Sequence, residues 1–217
     1  MISDWLPPSE RQAFIDNNFG RCPYVRAAAA QTAVLLLGWA TLDRVLSSPV
    51  PADVLTVAAG RLCDVTAPHS SDEVRRLMAQ GISTVIRKSE RHDDGLRRLA
   101  DAFGSVLAGK VHLQLYATPG RTYSFGWHYD FEDVFIAQTL GIKDYYMRAN
   151  TVARQIHPGE KPDFGRIRQE TSQLMVARLV PADWLYIPRG WWHLVKCAEN
   201  SLSISVGVMP FERDHAK

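Results

Sequence analysis

Residues 124–146 read SFGWHYDFEDVFIAQTLGIKDYY. A histidine and an aspartate, His128 and Asp130, stand two apart among aromatic and β-branched residues, and Lys143 follows thirteen residues after the aspartate. The composition is that of buried strands, and buried charge costs several kcal/mol unless it is paired or bound to a metal. On a strand, residues i and i+2 share a face, so this pattern points both groups at one place.

The flanking sequence continues the strand signal. KVHLQLYATPG alternates, and DVFIAQT, DYYMRAN, QLMVARLV, DWLYIP, HLVKC and SLSISVGV are short, rich in β-branched or aromatic residues, and separated by turn residues. Close spacing of short strands predicts a barrel or sandwich over about 109–209. The first part, about 1–108, reads as a helical layer with a few strands. PPSERQAFIDNNF has Ser9 as a cap, one helix is expected over much of 27–46, and SSDEVRRLMAQG and DDGLRRLADAFGSVLAG each end at a glycine. DVLTVAA and STVIRK are strands between them. The polar segment 151–172 breaks the rhythm, and loops of that length are functional or mobile. A length of 217 residues suits one domain, 1–217.

Composition excludes several classes. With 25 basic and 23 acidic residues the chain lacks the charge for broad nucleic-acid binding. Cys22, Cys63 and Cys197 form no CxxC pair, so neither a zinc ribbon nor a disulfide framework is indicated, and a reducing cytoplasm is expected. The start, MISDWLPPSER, is not a signal peptide, and the apolar run 27–40 is too short for a membrane span.

The His-x-Asp pair supplies two metal ligands, and a second histidine would complete a 2-His-1-carboxylate triad of the non-haem Fe(II) oxygenase kind. His92 and Asp94 match the same pattern by chance, in a charged surface segment. The candidate second histidine is His193 in VPADWLYIPRGWWHLV, whose spacing resembles the second cupin motif with Ala182 in place of its glycine. Lys143 has the compact charge that would receive the far carboxylate of a chelating 2-oxo acid. From its position alone it could equally be a turn lysine in solvent.

Together these segments resemble the JmjC-type, cupin-like 2-oxoglutarate oxygenases, which include ribosomal oxygenases, an asparaginyl hydroxylase and a tRNA wybutosine hydroxylase. HYD, VFIAQ, GIK and DWLYIPRGWWH fall at the family spacing, and FIDNNFGRCPYVRA and MAQGISTVIRKSERHDDGLRRLADAF resemble its upstream segments. The resemblance implies a mostly β double-stranded β-helix (jelly roll) with a helical N-terminal layer. It implies Fe(II) on His128, Asp130 and His193, 2-oxoglutarate on Lys143, and O2 as co-substrate. Tyr116, Gln114, Ser203 and Ser205 are the further cosubstrate candidates. Gln114 and Gly207 depart from the asparagines that two branches carry. Ribosomal oxygenases append a dimerisation region and a winged helix, which this sequence lacks. With the near-neutral charge, that favours hydroxylation of a free small molecule, with release of succinate and CO2, over a protein or RNA residue. A cupin metalloenzyme without 2-oxoglutarate would need the three ligands but not Lys143, and a catalytically silent binding module would need none of the four. His112, Trp191 and Trp192 are read as packing, His157 as a surface group or a substrate contact under a closing lid, and Arg148, Arg154, Arg166 and Arg168 as a solvated face or the lining of a substrate mouth. The oligomeric state is not legible.

Overall fold

The computed structural model describes residues 2–152 and 163–210. Among the described residues eleven strands form two antiparallel sheets, as in a jelly roll. The larger sheet has the order β1 (Tyr24–Arg26), β9 (Trp184–Ile187), β6 (Asp133–Leu140), β11 (Ser201–Pro210), β5 (Gly109–Thr118), β4 (Ser83–Arg87), β2 (Asp53–Ala58), β3 (Arg61–Leu62). The smaller has the order β10 (Trp192–Cys197), β7 (Lys143–Arg148), β8 (Met175–Leu179).

Period-two alternation sorts the larger sheet into two faces. Leu113, Leu115 and Ala117 of β5, Phe135 and Ala137 of β6, and Leu202, Ile204, Val206 and Val208 of β11 enter one apolar cluster with the N-terminal helices. Those helices are α1 (Ile2–Trp5), α2 (Pro8–Asn17), α3 (Gln31–Leu36), α4 (Trp39–Leu46), α5 (Ser71–Ala79) and α6 (Asp94–Leu107). Phe14 of α2 packs edge-on against Tyr186 at 5.1 Å and Trp184 at 6.1 Å, and Phe103 of α6 against Phe135 at 5.1 Å. On β5 and β11 the opposite face is polar, with Tyr116 and Thr118, Ser203 and Ser205, while β6 adds Val134 and Ile136 to it. It looks toward β7 and β10 across a cavity. A second cluster, with Val134, Ile136, Tyr145, Met147 and Leu185, closes the space between the sheets.

The N-terminal layer departs from expectation in places. The run 27–46 is two helices, because the chain turns extended at Leu37 and Gly38 (φ −130°). Pro7 rather than Ser9 precedes α2, and Pro8 takes its first turn, where a missing N–H costs nothing. Helix α6 ends on Ala108, not on a glycine. The edge strands β1 and β3 are too short to show a period. Helix α5 is capped as expected, Ser70 accepting from the Glu73 N–H at 3.3 Å. Among the described residues no helix is long and apolar enough to cross a membrane.

Ala182, where the cupin motif has glycine, keeps a glycine conformation at φ +76°. It is buried, its N–H donates to Gln138 O at 2.9 Å, and the Gln138 N–H donates to Asp183 O at 3.0 Å. The turn that launches β9 is therefore fixed from β6, at the cost of strain on a Cβ. Ala182→Gly is expected to raise the unfolding free energy by about 1 kcal/mol in urea titrations, since the strain relieved exceeds the flexibility added to the unfolded chain.

Candidate metal centre

The segment around His128 is not a regular strand, contrary to the sequence reading. It is held by one antiparallel bridge, His128 to His193. The His128 N–H donates to His193 O at 3.1 Å and the His193 N–H to His128 O at 2.8 Å. The Gly190 N–H donates to Asp130 O at 2.8 Å, so the HYD and PRGWWH segments are laced together by backbone bonds. Asp133 secures the same turn: its Oδ1 accepts from Tyr186 Oη at 2.5 Å and from the Arg189 N–H at 3.4 Å.

This lacing brings ligand atoms of His128, Asp130 and His193 within 4.8 Å of one another. His128 Nδ1 lies 2.8 Å from Gly126 O and His193 Nδ1 lies 3.1 Å from Trp191 O. A carbonyl only accepts, so each Nδ1 carries the proton and each Nε2 presents a lone pair. Burial, reinforced by the neighbouring His128, holds the His193 imidazole below its usual pKa and so in the neutral, ligating form. Two imidazole nitrogens and a carboxylate oxygen fit a divalent iron of the facial-triad kind. Trp127 and Tyr129 flank His128 in sequence, and Tyr129 packs edge-on against the fully buried Trp192 at 4.8 Å. His92 and Asp94 play no part: His92 Nδ1 meets Ser48 Oγ at 3.3 Å, and Asp94 pairs with Arg97.

Lys143 is 3% exposed and its Nζ donates to Ser203 Oγ at 2.8 Å. Burial pushes its pKa down. Its neighbours on the cavity wall are Tyr116, Tyr145, Cys197 and Ser203, none of them a carboxylate. A buried ammonium so placed wants an anion, and the far carboxylate of 2-oxoglutarate fits. The Thr118 hydroxyl lines the same floor with no hydrogen-bond partner among the described residues. Tyr116 lies 5.4 Å under the lysine Nζ, measured to its ring centre, and its hydroxyl donates to Gln114 Oε1 at 3.0 Å. Burial, with Asp130 and Glu132 nearby, raises the Tyr116 pKa, so the phenol stays a donor. Ser205 lines the cavity, whereas Gln114 stands behind Tyr116 and acts on the cavity through it.

One residue near the ligands escaped the sequence reading. Glu132 fills the space over Gly207, where a Cβ would overlap its carboxylate. Its Oε1 lies 3.6 Å from His112 Nε2. Burial, then the charge of Asp130, raises its pKa to about 7. The sequence signal was an acid pair, Glu132-Asp133, opening an apolar strand.

The described part of the polar segment, 163–172, reaches the site. Phe164 lies 6.4 Å from the His128 ring and 5.6 Å from Tyr129, centre to centre. The loop is pinned at its base by the buried Glu170, which accepts from the Thr151 N–H and Oγ1, both at 2.7 Å, and from the Ser172 N–H at 2.9 Å. Arg166 donates to Val152 O at 3.0 Å and Arg148 to Ser172 O, so both stitch the loop. Arg168 lies in the turn Phe164–Gln169. His157 and Arg154 lie outside the described residues.

A family model described as JmjC domain matches residues 86–215. Ribosomal oxygenase 1 of Bos taurus is 28% identical over 142 residues, 65% of this chain and 20% of that protein. A bifunctional lysine-specific demethylase and histidyl-hydroxylase of Drosophila pseudoobscura pseudoobscura is 28% identical over 120 residues, 54% of this chain and 12% of that protein. The chain thus spans a fifth or less of the length of these two relatives. A ribosomal oxygenase of Escherichia coli, solved with cobalt and 2-oxoglutarate, shares the fold at a TM-score of 0.65 and 20% identity, over 91% of this chain and 51% of that one. These findings correct the expectation of a free small-molecule substrate, since the relatives are named for the ribosome and for lysine and histidyl residues. Near-neutral net charge governs long-range steering, not what a narrow cavity mouth admits.

The Glu170 clamp carries a pH dependence. Burial alone would raise this carboxyl, but the bonds from Thr151 and Ser172 hold it down to about 2, against 4.5 unfolded. A depressed folded pKa stabilises above the unfolded value and is lost as pH falls through the folded one. The stability difference between wild type and Glu170→Gln is therefore expected to be constant above about pH 5, to shrink below about 4.5, and to vanish near 2, as read by urea unfolding across that range.

Proposed function

Because the chain belongs to the JmjC domain family, we propose that it is an Fe(II)- and 2-oxoglutarate-dependent oxygenase that hydroxylates a residue of a protein. The observation that carries this reading is Lys143, a buried lysine that donates to Ser203 and forms no ion pair among the described residues, in a cavity also lined by His128, Asp130 and His193. A cupin enzyme working without a 2-oxo acid would have no use for that charge. The relatives' names, and the cobalt and 2-oxoglutarate in the Escherichia coli structure, support the same reading. The helical layer and the barrel are read as one domain because a single apolar cluster draws on both. Free Cys22, Cys63 and Cys197 fit a reducing cytoplasm.

In this reading His128, Asp130 and His193 would hold Fe(II). Iron with 2-oxoglutarate and O2 supplies oxidative decarboxylation, giving succinate and CO2, and hydroxylation of a C–H bond. Lys143 and Ser203 would fix the far carboxylate, and the Tyr116 hydroxyl, which donates to Gln114 Oε1 in this structure, would turn its one proton from Gln114 to the cosubstrate. Val134, Ile136 and Val195 line the wall between floor and rim and keep that part of the cavity apolar. Phe164 covers the His128 side and limits water there.

The test is an anaerobic titration of apoprotein with Fe(II), then 2-oxoglutarate, followed by the visible metal-to-ligand charge-transfer band. The band is expected only after both additions, and not in His128→Ala. Lys143→Ala is expected to retain the metal but to need at least about tenfold more 2-oxoglutarate, the loss of one charge-assisted contact. Tight metal binding with no band in wild type would overturn the reading.

A further inference from the structure

We propose that Cys197 is a covalent modification site at the lysine end of the cavity, where its thiol adds to an α,β-unsaturated dicarboxylate, such as fumarate, seated by Lys143. The inference rests on the reading above only in taking Lys143 as a carboxylate receptor. It needs neither the metal nor turnover.

Strand register puts the two groups together. Lys143 of β7 and Cys197 of β10 are directly opposed cross-strand partners, and both side chains line the cavity. Residues so opposed carry their Cβ atoms about 5 Å apart. Both are buried, and the thiol is free. Ser201 Oγ stands 3.6 Å from Cys197 Sγ and 3.4 Å from Thr118 O, so Thr118 shares this corner. The Thr118 hydroxyl lines the cavity, is buried, and has no hydrogen-bond partner among the described residues. A buried lysine without an ion pair and an orphan hydroxyl are two independent signs of an anionic ligand, and the thiol stands beside both. His193 lies four residues earlier on the same strand, roughly 13 Å along it, so the thiol is separate from the metal centre.

The chemistry needs nothing beyond these groups and the diacid. Sulfur attacks as the thiolate, its proton leaving to solvent. Its electron pair forms a bond to one alkene carbon, and the π pair shifts to the other carbon, which takes up one proton. The S–H has then added across the double bond, with no leaving group and no oxidant. The product is a thioether carrying a succinyl group. In such a diacid each alkene carbon is bonded directly to a carboxyl carbon. A carboxylate held at Lys143 and Thr118 therefore brings the electrophile to the thiol on the neighbouring strand, with the advantage of an intramolecular reaction. A neutral alkene gains no such hold, and a saturated diacid is held without reacting. The adduct occupies the space that the far carboxylate of 2-oxoglutarate requires, so modification closes the cosubstrate site.

The test incubates the full chain, without added metal, with fumarate or with the neutral alkene acrylamide, and maps the adducts by peptide mass spectrometry. Cys22 and Cys63 are less buried than Cys197 and serve as internal references. In wild type fumarate is expected to modify Cys197 at least about tenfold faster than either, the size of one charge-assisted contact, whereas acrylamide favours the other two. Succinate should slow the fumarate adduct on Cys197 and leave the acrylamide adducts on Cys22 and Cys63 unchanged. Lys143→Met should slow fumarate at Cys197 about tenfold while acrylamide still reaches that thiol. Three results overturn the proposal: no fumarate adduct on Cys197, a rate there no greater than at Cys22 and Cys63, or a rate that succinate does not change. All three are read in wild type, so the outcome does not hang on the variant folding. The charge-transfer titration above separates this site from the oxygenase reading. A band without an adduct overturns the modification site alone, whereas an adduct without a band supports it and counts against the oxygenase.

Discussion

Two backbone hydrogen bonds between His128 and His193 are the constraint on which the centre depends. The residues are 65 positions apart, yet each donates its N–H to the other's carbonyl. In an antiparallel pair of this kind the side chains emerge on one side, and the two imidazole rings stand 4.1 Å apart, centre to centre. The bridge does this without a regular strand at His128. Gly190 on Asp130 O extends the lacing, and buried Asp133 anchors the far end of the same turn. The relative placement of these three side chains is thus set by main-chain bonds, so little reorganisation would remain were an ion to bind them.

The larger sheet makes this possible by keeping its two faces chemically distinct. Its outer face is filled by the N-terminal helices, with Phe14, Phe103, Phe135, Trp184 and Tyr186 in mutual ring contact. Burial there supplies stability that the serine and threonine positions of β5 and β11 on the inner face do not. That inner face can then hold an expensive group. Lys143 on the opposite sheet is tolerated because Ser203 meets it across the cavity and the aromatic face of Tyr116 lies beneath it. Neither neutralises the charge, which leaves the lysine biased toward an anion.

The barrel strands were legible because each is short, β-branched or aromatic, and ended by turn residues, and the family spacing carried His128, Asp130, Lys143 and His193 to one cavity. Other features lay below the resolution of pattern. The run 27–46 carries apolar residues on both sides of Leu37 and Gly38, so its break there leaves no clear periodic trace. Strands β1 and β3 have three and two residues and show no alternation. Ser9 looked like a cap, but Pro7 and Pro8 already set the first turn. The segment around His128 has the composition of a strand and lacks the second partner that would regularise it. Substrate class was misjudged for a different reason: net charge and chain length describe the whole molecule, whereas selection occurs at a mouth a few side chains wide.

Three departures from family pattern then turn out to differ in kind. Ala182 replaces a glycine without changing the backbone, since φ stays at +76°. It keeps the turn and adds strain. Gln114 replaces an asparagine and still accepts from Tyr116, so its effect reaches the cavity through a phenol. Gly207 removes a side chain altogether, and the vacated volume is taken by Glu132 from the neighbouring strand. The first two conserve a local geometry. The third exchanges a group on β11 for a charge entering from beside β6, two residues from a ligand. A change of that kind leaves His128, Asp130, His193 and Lys143 in place and alters the inner face of β11 at Gly207.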